Sequence, residues 1–207
     1  MEIFDLIARY RVIPVITLED PEKALPLADT LTECGLPLAE ITFRTEAGIE
    51  AIKLLGRHRP DFLTGAGTLL TPDQVNLASD HGARFGVSPG FKEHVIRAAL
   101  DIGFPFAPGI LTPSEIEAAL DMNISVLKFF PAEAAGGANL LKNISTPYAH
   151  LGLRYIPTGG INTGNLKSYL DLPQVLACGG SWIATRDDIS AGNWDRICSR
   201  CREISGL

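Results

Sequence analysis

Eight short apolar runs alternate with longer amphipathic segments from one end of the chain to the other, and no other property of the sequence restricts the fold so strongly. The runs cover 11–18, 36–43, 62–69, 84–89, 105–111, 125–131, 155–161 and 174–183. Each is short, apolar and bounded by turn-forming residues, as a buried strand should be. Between them, 20–34, 45–58, 71–81, 91–102 and 112–122 place apolar residues at helical spacing. Thr71-Pro72 and Thr112-Pro113 each pair an N-cap residue with proline at the first helical position, while Gly35, Gly82 and Gly103 stand where helices should stop. Residues 1–10 read as a short amphipathic helix. Regular strand-helix alternation implies parallel pairing, and eight units without a linker or composition break predict a single-domain α/β fold over 1–207, a (β/α)8 TIM barrel with a short N-terminal helix. An open doubly wound sheet is the structural alternative, but no Gly-x-Gly-x-x-Gly follows the first run.

The formal net charge of −6 over 207 residues argues against a nucleic-acid partner, because phosphate backbones are bound by clustered Lys and Arg. No apolar run approaches membrane-spanning length, and the acidic N-terminus is unlike a signal peptide. A soluble, cytoplasmic protein is expected. Cys34, Cys178, Cys198 and Cys201 read as ordinary thiols, since Cys198-Ser199-Arg200-Cys201 has no second pair to complete a zinc site. The four histidines are scattered and form no ligand pattern, so no metal is expected.

Lys128 lies inside Val126-Leu127-Lys128-Phe129-Phe130-Pro131, a run that otherwise reads as a fully buried strand. Burial in a barrel favours a neutral, nucleophilic amine able to condense with a ketone; the alternative is a strand-end lysine whose head reaches water. Catalytic groups of such barrels sit at the C-terminal ends of strands. Several polar residues obey that rule. In Glu40-Ile41-Thr42-Phe43-Arg44, alternation sends Glu40, Thr42 and Arg44 to one face. Thr68 ends the third run and Pro89 the fourth. Glu40 and Arg44 could instead be only a salt bridge, and Thr68 only a cap. Pro157-Thr158-Gly159-Gly160-Ile161 and Cys178-Gly179-Gly180-Ser181-Trp182 close the last two runs, where glycine pairs can bare backbone N–H groups for a phosphate or simply permit tight turns.

With those residues assembled, the chain resembles, nearly end to end, the bacterial 2-keto-3-deoxy-6-phosphogluconate (KDPG) aldolases, class I enzymes of the Entner-Doudoroff pathway, many of which also cleave 4-hydroxy-2-oxoglutarate (KHG). The most specific segments are Glu40-Ile41-Thr42-Phe43-Arg44, Gly65-Ala66-Gly67-Thr68, Val87-Ser88-Pro89-Gly90, Pro108-Gly109-Ile110-Leu111-Thr112-Pro113-Ser114-Glu115, Lys128-Phe129-Phe130-Pro131-Ala132-Glu133, Pro157-Thr158-Gly159-Gly160-Ile161 and Gly179-Gly180-Ser181-Trp182. The resemblance implies Lys128 as the Schiff-base lysine and Glu40 as general acid/base. It implies Arg44, Thr68 and Pro89 around the pyruvate carboxylate, Gly159, Gly160 and Ser181 around the phosphate, and Phe130 and Thr158 as further pocket residues. It also implies a phosphorylated keto acid as substrate, no cofactor beyond the covalent imine, and a homotrimer. Phe43 departs from the family, where an aliphatic residue is more usual. KHG aldolase as the main activity, a phosphosugar isomerase or epimerase, and a non-catalytic phosphate-binding barrel are the competing readings; the last two leave the strand-borne lysine without a purpose.

Overall fold

A computed structural model describes residues 2–205. Its nine strands are β1 (Val12–Ile16), β2 (Leu38–Thr42), β3 (Leu63–Gly67), β4 (Phe85–Val87), β5 (Phe106–Ala107), β6 (Gly109–Ile110), β7 (Val126–Phe129), β8 (Arg154–Pro157) and β9 (Cys178–Gly180). The N-terminal half carries helices α1 (Ile3–Ala8), α2 (Ala24–Glu33), α3 (Glu46–His58), α4 (Pro72–Asp80) and α5 (Glu93–Asp101). After them come α6 (Pro113–Asp121), α7 (Ala132–Ala135), α8 (Gly137–Ser145), α9 (Leu166–Leu170), α10 (Arg186–Ala191) and α11 (Trp194–Ser205).

All pairings are parallel. One sheet has the order β5-β4-β3-β2-β1-β9 and the other β6-β7-β8. The fifth apolar run is thus two strands, not one. Pro108 has no N–H for a ladder; β5 pairs with β4 while β6, beyond the proline, pairs with β7. The last run is also shorter than expected. Its early part touches β8 only through the bridge Tyr155↔Val175, and regular pairing is confined to β9. A second bridge, Thr158↔Gly179, links the end of β8 to β9.

The expected helix signals operate. Thr71 and Thr112 accept hydrogen bonds from Gln74 N and Glu115 N, and Glu115 answers back to Thr112 N to complete a capping box. Gly35, Gly82 and Gly103 follow their helices at φ +83°, +93° and +64°, the left-handed conformation that ends a helix cheaply. Inside the sheets, small residues make room for large ones: the ring of Phe85 occupies the space a side chain at Gly65 would need. Phe4 of α1 meets that ring edge-on, with centroids 6.4 Å apart. The N-terminal helix therefore contributes to the core, with Phe4 and Ile7 both buried in it.

The cysteines require a correction. Cys34 and Cys198 form a disulfide, because α11 packs on α2 and brings their Cα atoms to 5.5 Å. A bridge closing 164 residues of sequence contributes about 2–4 kcal/mol by restricting the unfolded chain. Cys201, three residues on, turns to the core, and burial pushes its thiol up to about 11. The same C-terminal region is pinned by buried Asp188 in α10, which accepts from Thr185 Oγ1 and Arg200 at 2.7 Å each. Those bonds hold its carboxyl down at about 2.

Candidate active site

Parallel register lines up one face of the six-stranded sheet. Val15, Glu40 and Gly65 are register partners, as are Thr42 and Gly67. Lys128 belongs to the other sheet, on β7. Its ammonium nitrogen donates to both oxygens of Glu40, at 2.9 and 3.1 Å. Lys128 is 5% exposed and Glu40 1%. A buried ion pair is weak evidence of stabilisation, since desolvating both charges offsets much of their attraction. An amine and a carboxylate in contact, shut off from water, can however exchange a proton without solvent. That makes the pair chemically useful.

Glu40 reaches Lys128 only because Gly67 has no side chain. A Cβ at that position would lie 2.7 Å from Glu40 Cγ and 2.8 Å from its carboxyl carbon. Gly67→Ala should therefore push the carboxylate off the lysine and lower kcat roughly a hundredfold, the cost of about 1 Å of misplacement at a reacting group, with the melting midpoint measured alongside. Parental kcat in that variant would show that Glu40 acts from some other position.

The neighbouring residues complete the strand ends. Arg44 is exposed just beyond β2 and has no hydrogen bond or ion pair among the described residues. The possible Glu40–Arg44 bridge does not form, because Glu40 is taken by Lys128. Thr68 is half-buried with φ +63°. Its flanks explain that angle: Gly67 O accepts from Phe43 N and Leu69 N donates to Val87 O, so both neighbours are tied to adjacent strand ends and the residue between them must kink. For a β-branched residue the left-handed region costs of order 1–3 kcal/mol. Pro89, half-buried, sits in a turn closed by Ser88 Oγ donating to Gly90 O at 2.8 Å.

Phe130 lies near the lysine, its ring centroid 5.9 Å from Lys128 Nζ, and its ring also borders Gly159. Thr158 is buried, and its side chain fills the space beside Gly179. Gly160 and Ser181 are exposed in the two loops that follow β8 and β9. The structure thus joins Lys128, Glu40 and Phe130 directly, and Phe130 to Gly159. Arg44, Thr68, Pro89 and Ser181 share the strand-end location with these residues without a hydrogen bond to them. Sequence reasoning overlooked Thr17, whose hydroxyl pairs with that of Thr42 at 3.0 Å. Alternation along the first run places Thr17 on the face of Val15, so the signal was present. A cavity of about 470 Å³ lies elsewhere, around Ser145, Tyr155 and Gln174, and contains none of the candidate residues. No three His, Cys, Asp or Glu side chains group to hold a metal ion among the described residues.

The chain is 47% identical, over 98% of its length and 95% of the relative's, to a 2-dehydro-3-deoxy-phosphogluconate aldolase of Haemophilus influenzae. It is 41% identical, over 93% of its length and 89% of the relative's, to the KHG/KDPG aldolase of Escherichia coli K12. Among solved structures, KDPG aldolase from Legionella pneumophila, with pyruvate captured as a covalent carbinolamine intermediate, superposes with a TM-score of 0.92 at 40% identity, covering 97% of both chains. Residues 3–200 match the family described as KDPG and KHG aldolase, and the chain belongs to that family.

Proposed function

We propose that this protein is a class I aldolase that cleaves 2-keto-3-deoxy-6-phosphogluconate to pyruvate and glyceraldehyde 3-phosphate through an imine on Lys128. The observation that carries the proposal is the buried contact between Lys128 and Glu40. Glu40 takes a proton from the lysine, and the free amine adds to C2 of the keto acid. The resulting carbinolamine loses water with a proton from Glu40, leaving a protonated imine. Glu40, through a bound water, then removes the C4 hydroxyl proton; the C3–C4 bond breaks, its electrons flow into the imine as an enamine, and the aldehyde departs. Protonation at C3 and hydrolysis release pyruvate and restore Lys128. The imine is the electron sink, so no cofactor is required.

Arg44, with its unengaged guanidinium, is the partner for the pyruvate carboxylate, and Thr68 and Pro89 flank it. Phe130 and Thr158 shape the pocket, while Gly159, Gly160 and Ser181 receive the phosphate. KHG is a second substrate on this reading, favoured by the name of the Escherichia coli relative. We further read the two sheets as one (β/α)8 barrel in a single domain over 1–207. In support, only Pro108 separates β5 from β6, and the bridge Thr158↔Gly179 spans the other junction. A homotrimer is proposed from family resemblance. No described helix is long and apolar enough to cross a membrane. A cytoplasmic location is proposed from family resemblance.

Ser181→Leu tests the substrate. It removes a donor and fills the phosphate space, so kcat/KM on the phosphorylated keto acid should fall about tenfold or more, as expected for losing a hydrogen bond to a charged group. Cleavage of KHG should be largely kept. Equal losses on both substrates would make Ser181 part of the general architecture, and no loss on either would move the phosphate elsewhere.

A further inference from the structure

The loop bearing Gly159 and Gly160 is held from one side by groups outside the reacting set. Ala132 N donates to Thr158 O at 2.9 Å and Glu133 N to Gly159 O at 3.0 Å, so the start of α7 is laced to the loop after β8. Asn165 Nδ2 donates to Gly160 O at 3.1 Å. In a trans peptide the N–H points opposite to the carbonyl of the same unit. The N–H groups of Gly160 and Ile161 are thereby turned away from those anchors.

Both glycines have positive φ, +104° and +79°, a region where glycine has little preference of its own. Their orientation must be imposed from outside, and the Glu133 side chain is placed to impose it. A Cβ on Gly160 would lie 2.6 Å from Glu133 Cβ and 2.9 Å from its Cγ, so the stem of Glu133 lies directly against Gly160. Its carboxylate accepts a short hydrogen bond from the hydroxyl of Tyr169, buried in α9 at the far end of the same loop. Gly137 leaves room for that contact, since a Cβ there would come within 3.3 Å of Glu133 Oε1. Glu133 thus grips the loop three times, by its backbone on Gly159, its stem on Gly160 and its carboxylate on the following helix.

We propose that Glu133 and Tyr169 are positioning residues that fix the direction of the Gly160 N–H for the substrate phosphate, an assignment that rests on the phosphate reading of this loop. Three variants separate the roles. Tyr169→Phe deletes only the hydroxyl, Glu133→Ala deletes stem and acceptor, and Glu133→Gln keeps both stem and an acceptor. Tyr169→Phe and Glu133→Ala should raise KM for the phosphorylated keto acid about fivefold and weaken competitive inhibition by inorganic phosphate equally, the effect of one orienting hydrogen bond. Turnover of that substrate and cleavage of KHG should stay within about twofold, and Glu133→Gln should follow the parent. If inorganic phosphate fails to compete in the parent and Ser181→Leu harms both substrates alike, the phosphate reading falls and this role with it. If phosphate competes and Ser181→Leu is selective, yet Tyr169→Phe and Glu133→Ala leave KM unchanged, the positioning role alone is overturned. Equal losses on both substrates with a lowered melting midpoint would overturn it too, in favour of simple structural support.

Discussion

Lys128→Ala should abolish cleavage, by roughly four to six orders of magnitude if it behaves as other removals of a catalytic nucleophile do. Incubating the parent with pyruvate and borohydride should attach a single reduced adduct, mapped to Lys128. The two results are linked, because trapping and turnover would pass through the same imine. Alanine also strands Glu40, which is 1% exposed, without the cation it faces, and breaking a buried pair is destabilising. Lys128→Arg meets that difficulty: it keeps a positive charge beside Glu40 and cannot form an imine, so it too should be inactive and unlabelled. An adduct on Lys92 or Lys142, or turnover in either variant near the parent's, would end the assignment.

Glu40→Gln should lower kcat by about two to four orders of magnitude, the usual worth of general acid/base catalysis, with a much smaller change in KM. Glutamine retains the shape that fits over Gly67 and an oxygen to accept from Lys128, but it can neither remove the proton from the amine nor return one to the departing hydroxide. Stopped-flow measurement of imine formation, beside the steady state, separates the two duties. Activity within about threefold of the parent would reduce Glu40 to a counter-ion for the lysine, since general acid/base catalysis is worth far more than that.

Much of this site was legible because strand alternation is a strict geometric rule. Once Glu40, Thr68 and Lys128 are seen at the ends of separate apolar runs, a parallel fold has to gather them at one end. Local chemistry was equally readable: the threonine caps at 71 and 112 and the glycines at 35, 82 and 103 signal through their immediate neighbours alone. What escaped depended on contacts between distant residues. The choice of Lys128 over Arg44 as the partner of Glu40 is made across 88 residues, and the Cys34–Cys198 bridge across 164. No spacing rule reaches that far. The division of the fifth run at Pro108 was visible in principle, since proline cannot donate to a ladder, but nothing local says that the strand would change partners there. Helices α7 and α8 were not anticipated either. They follow a strand directly within 132–145, where Gly136 and Gly137 break the segment in two and leave Leu140, Leu141 and Ile144 as a short apolar stripe of little more than one turn.

Lys128 and Glu40 come from different sheets, on β7 and β2. A partly folded chain with only the six-stranded sheet assembled would hold the carboxylate without its amine, and one with only β6, β7 and β8 the amine without its acid. During refolding, helical signal and burial of apolar surface can return while either sheet stands alone, whereas imine formation requires both to have docked in register. Recovered activity therefore reports the docking of the two sheets, and any gap between it and the return of secondary structure times that step.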